Sequence, residues 1–213
     1  MANPLERLAG LEPAPSIKPA YCGPASTDCI LRYYFGSPAD QDFLARIMDF
    51  TESWGTPLEN LHRGPNYYGL FAIALEGSTF EIIDYLLQDN GVANLNYMDR
   101  DPDQTIENFN EYGHYAIYCG RSGQSAFEQI HLMCDYRQPN RYQEERYAFE
   151  RYWFDIDLKN GVESIIRRWS LLVFNLEDEF NFAAAALRHL HKDFPDTPTY
   201  KLYPPQLAGP KYR

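Results

Sequence analysis

A cysteine stands where a helix is predicted to begin, in the segment KPAYCGPASTDC (18–29). Cys22 is followed by Gly-Pro, and proline is tolerated in the first turn of a helix because its missing N–H would be unpaired there. The unpaired N–H groups of a first turn stabilise a thiolate, and Gly23 leaves room for a carbonyl group to approach. Free cysteines are also among the most buried residues, so the segment predicts either a nucleophilic thiol or an inert core side chain.

A nucleophilic cysteine needs a general base, and five histidines are available. His189 and His191 follow an alanine run in a predicted C-terminal helix and are typical of surface or packing histidines. His62 lies in a short predicted helix beside an arginine. His114 differs, because it opens a predicted strand directly after a glycine, in GHYAIYCG (113–120). His114 is therefore the predicted base.

The strand that His114 opens is predicted to form a hairpin with FEQIHLMCDY (127–136), in a register that places Asp135 opposite His114. Facing residues of an antiparallel pair have Cβ atoms about 4.5–5.5 Å apart, so a carboxylate can accept a hydrogen bond from an imidazole N–H. Such a pair also occurs as plain cross-strand stabilisation. His131 shares the face of Asp135 and is the competing base, although a packing or hydrogen-bonding role is favoured for it.

The other three cysteines are interpreted as reduced core residues. Cys119 and Cys134 point to the strand face opposite His114 and Asp135, and Cys29 lies on the apolar stripe of the first helix. No two cysteines have CxxC spacing, and none has a histidine at zinc-site spacing. We therefore expect no metal and no organic cofactor, whereas the sequence leaves a disulfide pair open.

The bulk composition excludes several classes of partner. The 213 residues carry a net charge of −11 with a pI of about 4.9, which argues against nucleic acid and anionic membranes as partners. No apolar run approaches the roughly 18–20 residues of a membrane span. The start, MANPLERLAGLEPAPS, lacks the basic-then-apolar order of a secretory signal, so a cytoplasmic location is expected.

Helices are predicted first and an antiparallel sheet follows. Because strands and helices do not alternate regularly, the pattern predicts an α+β fold. The helices are expected at about 23–34, 37–50, 55–64, 78–91, 143–156 and 180–194, and the strands at about 67–77, 92–99, 113–120, 127–136 and 167–175.

The order of these parts resembles the papain-like cysteine peptidases, and among them the bacteriocin-processing (double-glycine) peptidases and their free-standing relatives. The likeness rests on YCGPAS at a helix start, GHYAIYCG at a later strand, a strand that ends in an acidic residue, an aromatic-rich helix and a final WSLLVF strand. It covers about residues 19–175. It implies a papain-like α+β fold, with a helical N-terminal part that carries the nucleophile at a helix N-terminus and packs on an antiparallel sheet.

The resemblance also implies roles for individual residues. Cys22 matches the nucleophile, His114 the general base and Asp135 the acid that orients the base. Around this peptidase-like domain, taken as 19–176, we expect an extended arm at 1–18 and, at 177–213, a C-terminal helix and Pro-rich tail packed on the same domain.

Two positions depart from the family pattern. The orienting acid is usually followed directly by proline, whereas the sequence here is DYRQP (135–139). Papain-like enzymes place a glutamine, the oxyanion donor, six residues before the nucleophile, where this chain has Ser16. Ser16 or Lys18 is the candidate replacement, together with the backbone at Cys22 and Gly23. Loss of one such donor typically costs about 10²–10³ in rate.

The sequence thus predicts cysteine-dependent acyl transfer, with hydrolysis of a peptide or amide bond as the leading reaction. The alternatives are an amide-forming acyltransferase and a catalytically weak or inactive papain-like fold that binds a peptide or protein partner. The acidic segment DRDPDQTIENFNEYGH (99–114) is interpreted as a solvated loop that favours a basic substrate. The oligomeric state is not indicated.

Overall fold

The described part of the chain, in a computed structural model, comprises residues 8, 10–88, 90–98, 113–122, 130–135, 137–159, 162–193 and 198–205. The greater part of the predicted acidic loop, at 99–112, and the predicted hairpin turn, at 123–129, lie outside these residues. So do most of the first ten residues and parts of the C-terminal tail.

The N-terminal half of the domain is a layer of short helices, as predicted. α1 ends at Gly36, whose left-handed backbone (φ 71°) lets its N–H donate to the carbonyl of Arg32. α2 is capped by Asp40, which accepts a hydrogen bond from the N–H of Phe43, and it begins four residues later than predicted. This layer contains α1 (Cys22–Phe35), α2 (Gln41–Ile47), a 3₁₀ turn (Leu58–Asn60) and α3 (Arg63–Tyr67).

The centre of the molecule is a seven-stranded antiparallel sheet in the order β5-β4-β3-β2-β8-β1-β9. A separate two-stranded hairpin, β6-β7, lies beside it. The strands are β1 (Phe71–Glu76), β2 (Val92–Met98), β3 (Gly113–Ser122), β4 (Ile130–Cys134), β5 (Tyr142–Glu145), β6 (Phe154–Lys159), β7 (Val162–Arg167), β8 (Ser170–Phe174) and β9 (Thr199–Tyr203).

Each face of the sheet carries its own core. One face packs against α1 and α2 through residues such as Ile30, Leu44 and Ile117. The opposite face packs against α4 (Phe80–Leu87), α5 (Arg146–Tyr152) and α6 (Glu177–Asp193). The architecture is the predicted α+β fold, with the helix that begins at the candidate nucleophile packed on an antiparallel sheet.

Four strands, β5, β6, β7 and β9, were not predicted. The helix expected at 143–156 is instead an edge strand, β5, followed by the shorter helix α5 and then by β6. Cross-strand pairing with β4 and β7 outweighs the amphipathic helical pattern of this segment. The tail expected to be irregular contains β9, whose alternating TYKLY pairs with the edge of β1.

Both terminal segments contribute to the cores. Leu8, Leu11 and Ala14 are buried in the core on the α1 face, and α6 packs on the opposite face of the sheet. Within the described ranges, no helix combines the length and the hydropathy that crossing a membrane requires.

Candidate active site

Cys22 is the first residue of α1, and its side chain is buried (7% exposed). Burial raises the pKa of its thiol to about 12. Hydrogen bonds from the backbone N–H groups of Gly23, Tyr115 and Cys22 itself oppose that rise, because they favour the thiolate. The contact with Tyr115 joins the helix start to β3, one residue after His114.

Gly23 packs closely on Thr56, the residue that follows the 51–55 turn, and leaves no room for a larger side chain. A Cβ at this position would overlap the side chain of Thr56, whose own Cβ would be 2.7 Å away. The Tyr115 hydroxyl donates to the Thr56 carbonyl oxygen at 2.8 Å, so the same residue also contacts β3. The glycine beside the candidate nucleophile therefore allows α1, this loop and β3 to meet.

The direction of α1 across the sheet brings Cys22 towards the end of β2. The Tyr34 hydroxyl, near the end of the helix, donates to the carbonyl of Asn90, just before β2. Asn94 Nδ2 then donates to Ser26 Oγ at 2.8 Å. Cys22 lies one further turn towards the helix start, and so faces the end of β2 that pairs with the beginning of β3.

His114 and Asp135 form a buried pair at the end of the sheet where β2 ends and β3 begins. His114 Nε2 lies 2.8 Å from Asp135 Oδ2, and the two residues are 4% and 2% exposed. An ionised carboxylate can only accept, so the imidazole donates through Nε2–H. Nδ1 is then the basic nitrogen of the neutral ring.

The pair does not arise from the predicted register. The ladder joins Ile117 to Cys134, so Asp135 continues towards Ala116 and lies two residues away from the predicted position opposite His114. Near Ser122 the observed and predicted registers differ by three residues, and a bulge in the middle of β3 reduces this offset to two. The contact is a diagonal one, which long side chains on the same face can make.

Arg137 donates hydrogen bonds to both carboxylate oxygens of Asp135. Its backbone N–H donates to Oδ1 at 2.9 Å and its Nη2 donates to Oδ2 at 2.8 Å. The hydroxyl of Tyr97, which lies directly across from His114 on β2, donates to Oδ2 at 3.2 Å. Burial alone would raise the pKa of Asp135, but the hydrogen bonds and charges of His114 and Arg137 hold it below its usual range.

Gly113 and Asp155 form a second contact beside His114. A Cβ on Gly113 would overlap the carboxylate of Asp155, on β6. The glycine before the histidine thus makes room for the hairpin that covers this end of the sheet. Sequence reasoning missed Asp155 because it placed that residue in a helix. It also missed Arg137 and Tyr97, although the arginine in DYRQP was a visible signal.

Ser16 and Lys18, the predicted oxyanion candidates, make other contacts. Ser16 Oγ donates to the Lys18 carbonyl at 2.6 Å, and the Lys18 ammonium pairs with Asp42 and contacts the hydroxyl of Tyr21. Within the described residues, neither side chain hydrogen-bonds to Cys22. Of the three predicted candidates, only Gly23 directs a polar group, its N–H, towards the thiol.

The segment before the nucleophile is held by a buried glutamine, Gln41. Its Oε1 accepts from the N–H of Ile17, and its Nε2 donates to the Pro15 carbonyl and to Asp28 Oδ2, at 2.8 and 3.0 Å. Because these bonds occupy its amide group, Gln41 serves to position the chain before Cys22.

The other histidines lie in different surroundings. His62 stacks on Tyr203 at 3.6 Å between ring centroids, and burial lowers its pKa to about 4. His189 is exposed beside Asp193. His131 pairs through its backbone with residues of β3 and β5, and its side chain lies outside the description. Among the described residues, no group of three or more histidine, cysteine or acidic side chains is arranged to hold a metal ion.

The fold is that of the papain-like cysteine peptidase domains of the bacteriocin-processing type. The peptidase domain of Streptococcus ComA, a bifunctional ABC transporter involved in quorum sensing, matches 78% of this chain and 99% of its own length. Its TM-score is 0.55 at 14% identity. The predicted resemblance in fold is thereby confirmed.

A second solved structure gives the same result. A protein from Bacillus anthracis described as a C39-like peptidase matches 78% of this chain and 95% of its own, with a TM-score of 0.52 and 13% identity. No family model matches the sequence, and no curated protein matches it. At these identities the likeness concerns the fold, so roles for individual residues must be argued from their geometry.

Proposed function

We propose that this protein is a cysteine peptidase-like hydrolase that cleaves a peptide or amide bond by acyl transfer to Cys22. The observation that carries this proposal is the buried His114–Asp135 pair, at the sheet edge towards which the start of α1 is directed. The thiol, the base and the orienting acid are the three groups that nucleophilic catalysis by cysteine requires. The four cysteines are all buried and none of them forms a disulfide, which supports a reducing, cytoplasmic location.

The first step joins sulfur to the substrate carbonyl. Because burial raises the pKa of Cys22 to about 12, the resting group is a thiol, and His114 takes its proton as the sulfur attacks. The protonated ring then gives that proton to the leaving amine. This breaks the C–N bond and leaves an acyl thioester on Cys22.

The second step hydrolyses that thioester. His114 takes a proton from water, the hydroxide attacks the acyl carbon, and the thiolate leaves and regains the proton. Asp135 remains ionised throughout, keeps the ring N–H on Nε2 and stabilises the imidazolium that forms twice in each cycle. The low pKa of Asp135 suits this role.

The oxyanion of each tetrahedral intermediate is stabilised by the start of α1. The backbone N–H groups of Cys22 and Gly23 point towards the thiol, and the helix dipole adds positive potential there. With Ser16 and Lys18 engaged elsewhere, one side-chain donor of the usual papain-like set is missing. We therefore expect turnover slower than that of a complete oxyanion site, by about 10²-fold.

Cleavage of a peptide library tests this function. The library is divided into basic and acidic pools, and new termini are read by mass spectrometry with and without an added amine. We expect cleavage that favours basic peptides, since the chain carries a net charge of −11. Cys22→Ala should lower the rate at least about 10³-fold, because it removes the nucleophile.

Cys119→Ala is the matched control, because Cys119 is equally a buried cysteine but lies on β3, five residues beyond His114. It should retain the parent rate. A product that forms only with the added amine would identify an acyltransferase. If no pool yields a product that depends on Cys22, the proposal is contradicted and a binding role remains for the fold.

A further inference from the structure

Arg137 and Asp135 make a fork-like contact that the acyl-transfer steps above do not use. Nη2 of Arg137 donates to Oδ2 at 2.8 Å, and Nε lies 3.3 Å from both carboxylate oxygens. Nη2 also lies 3.2 Å from the hydroxyl of Tyr97, which itself donates to Oδ2. Oδ2, the oxygen that bonds His114, is thus also held by an arginine and a tyrosine.

The charge of Asp135 requires a partner because the residue is buried. An ionised carboxylate out of water is stable only when it is paired and hydrogen-bonded. The side chain of Arg137 is about one-third exposed (36%), so its own charge stays partly in water while its guanidinium reaches the buried acid. Arg137 therefore balances the carboxylate without a proton on the neighbouring imidazole.

We propose that Arg137 is a positioning residue of this site: it fixes Asp135 and balances its charge, so that the His114 ring is held ready to accept the proton of Cys22. This inference rests on the proposed function. The residue acts through Asp135 and His114, and contact with the substrate is not part of its role.

The side chain can be tested separately from the backbone. The N–H of Arg137 donates to Asp135 Oδ1, and the N–H of Gln138 donates to the Asp135 carbonyl at 3.0 Å. Substitution of the Arg137 side chain leaves both backbone bonds in place. The local turn is therefore retained when only the guanidinium is removed.

Removal of the positive charge should change the pH dependence of the Cys22 reaction. Without Arg137, the charge of Asp135 is no longer balanced and favours a positive charge on the adjacent ring, which then cannot accept the proton of Cys22. The field of Arg137 also lowers the pKa of Cys22, and its loss makes the thiolate less favourable. Both effects move the half-maximal rate to higher pH.

The other titratable groups around this pair do not obscure that shift. Burial raises the pKa of both Tyr97, on β2, and Tyr142, on β5, well above neutrality. Asp155, on β6, contacts Gly113 beside the ring. Neither phenol therefore changes its charge between about pH 6 and pH 9.

The experiment measures the second-order rate constant of Cys22 alkylation by iodoacetamide from pH 5 to pH 10, with the site identified by peptide mapping. For Arg137→Gln we expect a rate at pH 7 at least about tenfold lower and a midpoint about one pH unit higher. Arg137→Lys keeps the charge but loses the fork, so it should keep the midpoint and regain only part of the rate.

Arg32→Gln is the matched control. Arg32 is 40% exposed and pairs with the buried Asp28, on the same helix as Cys22 but away from the His114–Asp135 pair. It should lose thermal stability as Arg137→Gln does, yet keep the parent rate and midpoint. This control separates a role in the site from a general role in the fold.

The outcomes are distinct. If folded Arg137→Gln keeps the parent rate and midpoint, the positioning role is wrong, while the proposed function stands as long as parent Cys22 reacts selectively. If parent Cys22 reacts no faster than the other cysteines, the proposed function itself fails. Should Arg137→Gln not fold, a parent-like rate for Arg137→Lys would still overturn the geometric part of the inference.

Discussion

Helix α1 carries two buried cysteines, and the hydrogen-bond donors around their sulfur atoms differ. Cys22 and Cys29 are seven residues, about two turns, apart on one face of the helix. Backbone N–H groups are directed at the sulfur of Cys22, which also lies 3.8 Å from the Ala20 carbonyl oxygen, whereas the sulfur of Cys29 donates to the Glu12 carbonyl at 2.7 Å and lies 3.5 Å from the sulfur of Cys134. Residue type and burial are the same, so the helix terminus makes the difference.

The second thiol site disfavours charge. Its hydrogen bond with Cys29, and then burial, raise the pKa of Cys134 far above that of an ordinary thiol. A carbonyl acceptor and a neighbouring sulfur stabilise protonated thiols, whereas unpaired N–H groups stabilise a thiolate. The comparison shows that a reactive cysteine is defined by the donors around its sulfur and by a base within reach.

Of the variants that compare the Cys22 and Cys29 regions, Gly23→Ala is expected to change the alkylation rate of Cys22 most. The added methyl group overlaps Thr56 and must displace the start of α1, and a displacement of about 1 Å can cost about 10²-fold in rate. The measurement is the alkylation rate of Cys22 together with the free energy of unfolding in urea.

Gly91→Ala is the control, because its methyl group overlaps the Leu87 side chain at a distance from the site. Both variants should lose about 1–3 kcal/mol of stability, but only Gly23→Ala should lose rate. An equal loss of rate in both would mean that the effect is one of general stability.

The smallest effect is expected from Cys29→Ala. Loss of one buried sulfur leaves a small cavity in the core and should cost about 1–2 kcal/mol in the free energy of unfolding. The rate of Cys22 alkylation should stay within about twofold of the parent. A loss of rate comparable to that of Gly23→Ala would show that the two thiol regions are coupled and that the contrast drawn here is wrong.

The sequence was sufficient to predict the elements that local patterns determine. Cys22 at a helix start, His114 at the beginning of a strand and the α+β order follow from capping residues, periodicity and a family resemblance. The sequence also paired His114 with Asp135, and the structure brings them together, but through a diagonal contact. The register of the β3–β4 pair, with its bulge, differs from that of a regular hairpin and has no reliable signal in one sequence.

The residues that complete the site depend on contacts distant in the chain. Tyr97 reaches Asp135 from β2, and Asp155 reaches Gly113 from a hairpin that the helical pattern of its segment concealed. Arg137 is only two residues from Asp135, but its role depends on the burial of that carboxylate, which a sequence does not give. Ser16 stands six residues before Cys22 and Lys18 four, yet the local turn and Asp42 engage them.

The most direct test of the central claim is competitive alkylation of the four cysteines by limiting iodoacetamide near neutral pH, quantified by peptide mapping. Cys22 is predicted to react at least about 10²-fold faster than Cys29, Cys119 and Cys134, and His114→Gln should remove most of that advantage. His62→Gln, at a histidine that stacks on Tyr203, should not. A rate for Cys22 equal to that of the other three cysteines, or one unchanged by His114→Gln, would contradict the assignment of Cys22 and His114 as nucleophile and base.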